Sequence, residues 1–419
     1  MTMTAPGIEQ ARNVELVAYH DLNGRPGFKM AMQVVDGRWY LHVAHLWDPG
    51  WGVVDVTDPR RPSVSHFEPW RKNTWTIQVQ VADGLMVCAL EAIAAGAPFA
   101  ETVAWGFEPS GPPHEAGILL WDVLTPTAPK LVSHFNTGGS GTHRNFYVGG
   151  RYAYLAAGVE GFAGNILVIA DLSDRAHPVE VGRWWFPGQW LAGGEAGTPG
   201  VSLHGPAYVD DGLAYLPYGK AGMVIVDVSD PTRPRFVSRV SFGDLGGFIG
   251  LHTVLPIPRR KLAVVNSEAI LEDGLDFANY AAVVDIADAR KPRIMSLFPT
   301  PAPEPGMPYR NFVAKGGRFG PHNQHMPHHQ PHLMPVDNLV HMTYFNAGLR
   351  VYDISDPYMP TEVGHFVPAD PTVRRGPLPT KLVTQSEDVL VDARGYIYVT
   401  DKNHGLLVLR YVGPGAPSA

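Results

Sequence analysis

One phrase recurs six times along the 419 residues, and it limits the chain to a small set of folds. The copies read WGVVDVTDPRRP, ILLWDVLTPTAP, LVIADLSDRAHP, VIVDVSDPTRP, AVVDIADARKP and VYDISDPYMP. In each, an apolar run ends in an aspartate: Asp55, Asp122, Asp171, Asp227, Asp285 and Asp353. A proline follows seven positions later, at Pro62, Pro129, Pro178, Pro234, Pro292 and Pro360. Successive aspartates lie 67, 49, 56, 58 and 68 residues apart. Self-similarity at such a period marks units that cannot bury their apolar faces alone and must stack on one another.

Within each unit the smaller pieces also repeat. A turn such as Asp36-Gly37, Asp83-Gly84 or Asp211-Gly212 leads into a short strand such as RWYLHVA, LMVCAL or LAYLP. The apolar run follows, then a turn in which Asp caps its own backbone and Pro presets φ. Another strand comes after the second proline, for example SVSHFEP or TEVGHFVP. Four short strands per unit predict a β-propeller blade. A seventh unit, DARGYIYVTDKNHGLLVLRYVG, has Arg410 where the aspartate stands elsewhere and stops before an outer strand. NVELVAYHDL, Asn13 to Leu22, reads as that missing strand and would close the ring without exposed edges. The expectation is an all-β, seven-bladed propeller of four antiparallel strands per blade. It forms a single domain over residues 1–419, with strand 13–22 completing blade 7 and 413–419 as a flexible tail.

The 45 Gly and 39 Pro suit many turns between short strands. No run of 18 apolar residues occurs, so no membrane span is expected. The N-terminus has no basic segment leading into an apolar one, and the lone cysteine, Cys88, leaves no intrachain disulfide. These features point to the cytoplasm. A net charge of −7 without a basic stripe argues against nucleic acid as a partner. Oligomeric state is left open by the sequence.

The phrases GMVIVDVSDPTRP and GLRVYDISDPYMP carry a resemblance to the LVIVD-repeat β-propeller proteins, and it runs over nearly the whole chain. The resemblance implies the fold. Activity has to be argued from the site, because propellers host enzymes and interaction scaffolds alike.

In a propeller the innermost strands line a central channel. Here they are read as TIQVQVADG, THRNFYVGG, LHGPAYVDDG, LHTVLPIPRR, PHLMPVDN and SEDVLVDARG. His143, His204 and His252 lie at or near the start of three, and GPHNQHMPHHQPH, Gly320 to His332, precedes a fourth. One imidazole per blade over successive blades predicts convergence on the axis, with the histidine-rich stretch folding over the mouth. Three or four such rings favour a transition metal, iron first, with Mn, Zn or Cu taking the same ligands. The expected ligands are His143, His204, His252 and His322, with His325 next. His328, His329 and His332 are expected to be solvated, behind the ligands, or facing substrate.

Loops on the same face hold Glu91, Glu160, Glu268, Tyr218, Lys220, Tyr344 and His404, and blade 7 offers Glu387 and Asp388. Glu268, Glu387 and Glu160 are the candidates for orienting the imidazoles or for general-base work. Tyr218, Lys220, Tyr344 and His404 are candidates for touching substrate. His66, His134 and His365, in the outer strands, are expected at the surface. Insertions carrying Phe99, Trp105, Phe107, Trp190 and Phe277 suggest a lidded pocket for a fairly hydrophobic small molecule.

A histidine-only ligand set with glutamates behind it is similar in arrangement to the carotenoid cleavage oxygenases, which are seven-bladed and hold non-haem iron by four histidines. A copper-dependent oxidase like the selenium-binding proteins fits the same ligands. The reading is a metal-dependent oxidoreductase or oxygenase. Alternatives are a hydrolase or lyase on the same site, or a non-catalytic interaction scaffold.

Overall fold

A computed structural model describes residues 5–93, 108, 110–276 and 278–416. Among the described residues the strands form six antiparallel sheets, five of four strands and one of eight in which two four-stranded blades, 2 and 3, are joined at Gly141 and Glu91. Blades 1 to 5 each run inner to outer in chain order, from Met30–Val35 through Ser63–Pro69 to Thr253–Ile257 through Arg293–Leu297. Blade 7 runs Ser386–Val391, Tyr396–Asp401, Gly405–Tyr411, and its outer strand is Val14–His20 from the opposite end of the chain. Residues 413–416 turn back on that junction: the Tyr411 hydroxyl donates to the Pro414 carbonyl at 2.9 Å.

Each strand alternates its side chains between two neighbouring blades, as the pleat requires. In blade 5, Val264 and Val283 pack towards blade 6, while Ala263, Val265, Ala282 and Val284 pack towards blade 4. Seven apolar clusters result, one between each consecutive pair of blades, including blades 7 and 1. The last cluster joins Leu390, Tyr398 and Val408 to Met30, Leu41 and Val54, and so closes the ring.

The recurring aspartates act at the turns. Asp227 accepts from Ser229 N at 2.9 Å and Asp230 from Thr232 N at 3.0 Å. The same bonds recur at Asp55 and Asp58, Asp285 and Asp288, and Asp353 and Asp356.

Blade 6 departs from expectation. Its regular strands are Leu339–Thr343, Leu349–Asp353 and Thr361–Pro368, and an additional outer strand, Ile8–Arg12, pairs with the last. PHLMPVDN is not its innermost strand. The histidine-rich stretch itself takes that place: His322 N donates to Thr343 O and His325 N to His341 O, both at 2.9 Å. Instead of folding over the mouth, the stretch descends the channel and crosses its far end. There His328 lies 3.2 Å from Gln80 of blade 2, and His329 reaches the Val209 carbonyl of blade 4 at 2.9 Å. His332 donates to Met32 O of blade 1 at 2.9 Å, and Leu333 bridges to Asp392 of blade 7. Prolines 321, 327 and 331 and the scarcity of apolar residues hid this strand from the sequence pattern.

His365 is also corrected. It is buried rather than on the surface, because Ile8–Arg12 covers its strand and Glu362 and Glu304 flank its ring at 2.9 and 3.2 Å. His66 is partly exposed and His134 exposed.

Candidate metal centre

Three histidines occupy equivalent places in successive blades. His204 N donates to Pro217 O at 3.0 Å, His252 N to Asn266 O at 2.8 Å and His322 N to Thr343 O at 2.9 Å. In each case the acceptor is the last residue of the second strand of the blade. The repeat geometry therefore aims three side chains at one level of the axis. His143, from the inner strand Gly141–Phe146 of blade 3, joins them. The four rings form an arc with centroid separations of 4.4, 4.9 and 4.9 Å.

The Glu268 carboxylate sits among their Nε2 atoms. Its Oε2 is 3.1 Å from His204 Nε2 and 3.5 Å from His252 Nε2, and its Oε1 is 3.5 Å from His322 Nε2. Nε2 of His143 faces Nε2 of His204 at 3.2 Å. The outward nitrogens are held from behind. His143 Nδ1 donates to Glu91 at 2.7 Å, and His252 Nδ1 meets the Thr253 hydroxyl at 2.6 Å. Glu387 Oε2 stands 3.1 Å from His322 Nδ1. With Nδ1 of His143 and His322 directed outward onto carboxylates, their Nε2 lone pairs face inward, towards His204 and Glu268. Acceptors facing acceptors in a buried space call for a cation. His252 Nε2 and Glu268 Oε2 have no hydrogen-bond partner among the described residues, and both are buried.

Electrostatics agree with ligation. Burial holds His204, His252 and His322 below the ordinary imidazole range, so each is neutral at pH 7. Burial pushes the Glu268 carboxyl up, and the positive charge that His252 and His322 would carry when protonated, with the His204 hydrogen bond, pulls it down. Burial likewise opposes ionisation of Glu387, and Lys402 at 3.2 Å with His322 brings it down to about 2. His204, His252 and Glu268 place donor atoms within 4.8 Å of one another, the spacing of a metal-ligating triad.

The other expected site residues are scattered. His325 turns away from the axis: both ring nitrogens meet backbone, Val391 N at 3.1 Å and Met334 O at 2.7 Å, so it has no lone pair left to give. Glu160 is exposed and apart from the cluster. Tyr218 is buried between blades 3 and 4, its hydroxyl donating to Gln189 at 2.7 Å. Tyr344 is buried between blades 5 and 6. The Lys220 ammonium donates to the Gly247 carbonyl. His404 reaches the Ala369 carbonyl at 2.9 Å on the rim of a separate cavity of about 470 Å³. Aromatic residues Phe99, Trp105, Phe107 and Phe277 lie outside the described residues; Trp190 rests against Trp185, 43% exposed.

Sequence reasoning named Glu91 only as one loop acid among several and did not reach Thr253 or Arg144. Thr253 carries no signal beyond standing next to His252. Glu268 was expected behind the imidazoles and stands among them.

The family model for the LVIVD repeat matches residues 140–185, 208–241 and 338–367, which fall in blades 3, 4 and 6. No curated protein matches the sequence. Among solved structures, the β-propeller domain of Myceliophteria thermophila Cps50 (Swd1) is similar at 10% identity. That likeness covers 93% of this chain and 98% of that one, with a TM-score of 0.51. A chain of the mitotic checkpoint complex is similar at 9% identity over 98% of this chain and 93% of that one, with a TM-score of 0.54. At such identities the likeness speaks for the fold alone. The chain is thus a β-propeller that carries LVIVD repeats in blades 3, 4 and 6.

Proposed function

We propose that the axial cluster binds one transition-metal cation, iron foremost and Mn, Zn or Cu by the same donors, and that the protein is a metal-dependent enzyme. His143, His204, His252, His322 and Glu268 would hold the ion. One observation carries the reading: Nε2 atoms of three imidazoles from consecutive blades, His204, His252 and His322, gather around one buried carboxylate, and His143 joins them through His204. A bound metal supplies Lewis-acid and redox chemistry at that point.

The residues around it do the rest. Glu91, Thr253 and Glu387 fix ring orientation. Met326–Leu333 closes the far end of the channel, so a ligand approaches from the face where His143 and His204 are partly exposed, 12% and 16% by side chain. A cavity of about 430 Å³ lies between blades 4, 5 and 6, lined by Leu245, Asp276, Asn279, Tyr280, Leu297, Phe298 and Phe319. Its wall includes Gly320, two residues before His322. Such a lining suits a fairly hydrophobic small molecule, and the chemistry favoured is that of an oxidoreductase or oxygenase. A hydrolase or lyase is the second reading, favoured by the orphaned Glu268 Oε2, which is placed to accept a proton.

Elemental analysis of untagged protein purified without chelator tests the proposal. One equivalent of transition metal is expected, and it should be lost in His143→Ala and His252→Ala. Protein that is metal-free, takes up no Fe²⁺, Mn²⁺, Zn²⁺ or Cu²⁺, and keeps its stability in both variants would establish the scaffold reading instead.

A further inference from the structure

Three buried carboxylates, a half-buried fourth (Glu91) and four buried cations stand around the cluster. The acids are Glu91, Glu268, Glu387 and Asp388, and the bases are Lys29, Arg144, Arg318 and Lys402. Three of the bases have a carboxylate partner: Lys29 meets Asp388 at 2.6 Å, Lys402 meets Glu387 at 3.2 Å and Arg318 meets Glu268 at 3.7 Å. Arg144 has none. It is 1% exposed, its guanidinium makes no hydrogen bond or ion pair with any described residue, and Nε and Nη1 are buried without partners.

The surroundings of Arg144 are fixed. Its guanidinium carbon lies 5.0 Å from the centre of the Phe28 ring, which is 6.2 Å from the His322 ring. Gln78 of blade 2 accepts from Asn145 N, next to Arg144, and its Nε2 is also buried without a partner. Donors from two inner strands thus gather beside the metal cluster with no acceptor to receive them. Burying a guanidinium unpaired is costly, and it is retained where something else supplies the acceptor.

We propose that Arg144, assisted by Gln78, receives the carboxylate of a small organic acid whose remaining part reaches the metal cluster. The inference deepens the metal-enzyme reading and rests on it for the reaction, though not for the binding. Charge supports a monoanion. Arg144 has no counter-charge in contact with it, and a single carboxylate would balance it. Glu268, Asp388, Glu91 and Glu387 all act on the guanidinium through space, which disfavours a phosphate dianion. The planar guanidinium also matches a planar carboxylate in two parallel bonds.

Acetate, benzoate and octanoate, each paired with its amide, are titrated calorimetrically into chelator-treated protein and into protein loaded anaerobically with Fe²⁺. Inorganic phosphate is titrated alongside. At least one carboxylate should bind the chelator-treated protein at least about 10-fold more tightly than its amide, and Arg144→Gln should weaken it by about 30-fold without changing the amide. If Arg144→Gln does not fold, the carboxylate–amide contrast in the wild type and its reduction in Arg144→Lys decide the matter. The proposal is overturned if no carboxylate outbinds its amide, if the preference survives the loss of Arg144, or if phosphate alone binds through Arg144. Contrast without metal uptake leaves this inference standing and removes the metal reading; uptake without contrast does the reverse.

Discussion

Glu268 separates two roles that a buried glutamate can take beside histidines. An orienting carboxylate meets Nδ1 from behind, as Glu91 does for His143; Glu268 instead meets the Nε2 atoms of His204, His252 and His322. Glu268→Gln keeps the shape and removes the charged oxygen donor, so metal affinity should fall by at least about 100-fold. Glu387→Gln touches only the back of His322 and should cost about 10- to 100-fold, as outer partners of metal ligands do. Competition against a chromophoric chelator measures both, and a Glu268 variant that binds metal as tightly as the wild type would remove it from the ligand set. His143, His204 and His252 were legible because each stands at or near the start of an inner strand, a position the repeat defines, and His322 only as part of a histidine-rich stretch. Glu268 was not, because loop residues have no register and only folding decides which nitrogen a carboxylate meets. Arg144 was hidden for a related reason: alternation along a strand does not say which side opens on the axis.

At the level of elements, apolar strands announced themselves and polar ones did not. The phrase ending in Asp gave the third strand of six blades, and the strand beside each Asp-Gly turn followed from it. The innermost strand of blade 6 is written in histidine, proline, glutamine and asparagine, held by backbone bonds to Leu339–Thr343 that no hydropathy pattern reveals. Its continuation closes the channel and is anchored by Leu333, 5% exposed in the apolar cluster between blades 7 and 1. Leu333→Ala should therefore cost about 3 kcal/mol, as buried Leu truncations do. His329→Ala, whose side chain is 40% exposed, should cost less than about 1 kcal/mol. Guanidinium unfolding curves compare the two. Equal, small effects would mean that the closing segment is laid over the channel rather than built into the ring.

Over the whole molecule, the ring buries imidazoles far from the axial cluster as well as within it. His42, His45, His325 and His341 are each at most 4% exposed. Burial is the leading cause that lowers all four, His42 and His341 to about 3 and His45 and His325 to about 4. In the unfolded chain each returns to about 6.5. Between those values the unfolded state binds protons that the folded state refuses. Stability is therefore fully present above about pH 6.5, falls as the pH drops below it, and levels off only near pH 3 to 4. From pH 6.5 to 5 each imidazole costs up to about 2 kcal/mol. Four together are comparable with the roughly 5–15 kcal/mol that holds a typical domain folded. Urea midpoints taken at pH 7.5, 6.5, 5.8 and 5.0 should decline steeply over the last three. His341→Asn, with one buried imidazole fewer, should decline less over the same interval. A flat profile in the wild type would mean that these rings gain protons in the folded ring as readily as in the unfolded chain, against the burial from which the prediction starts.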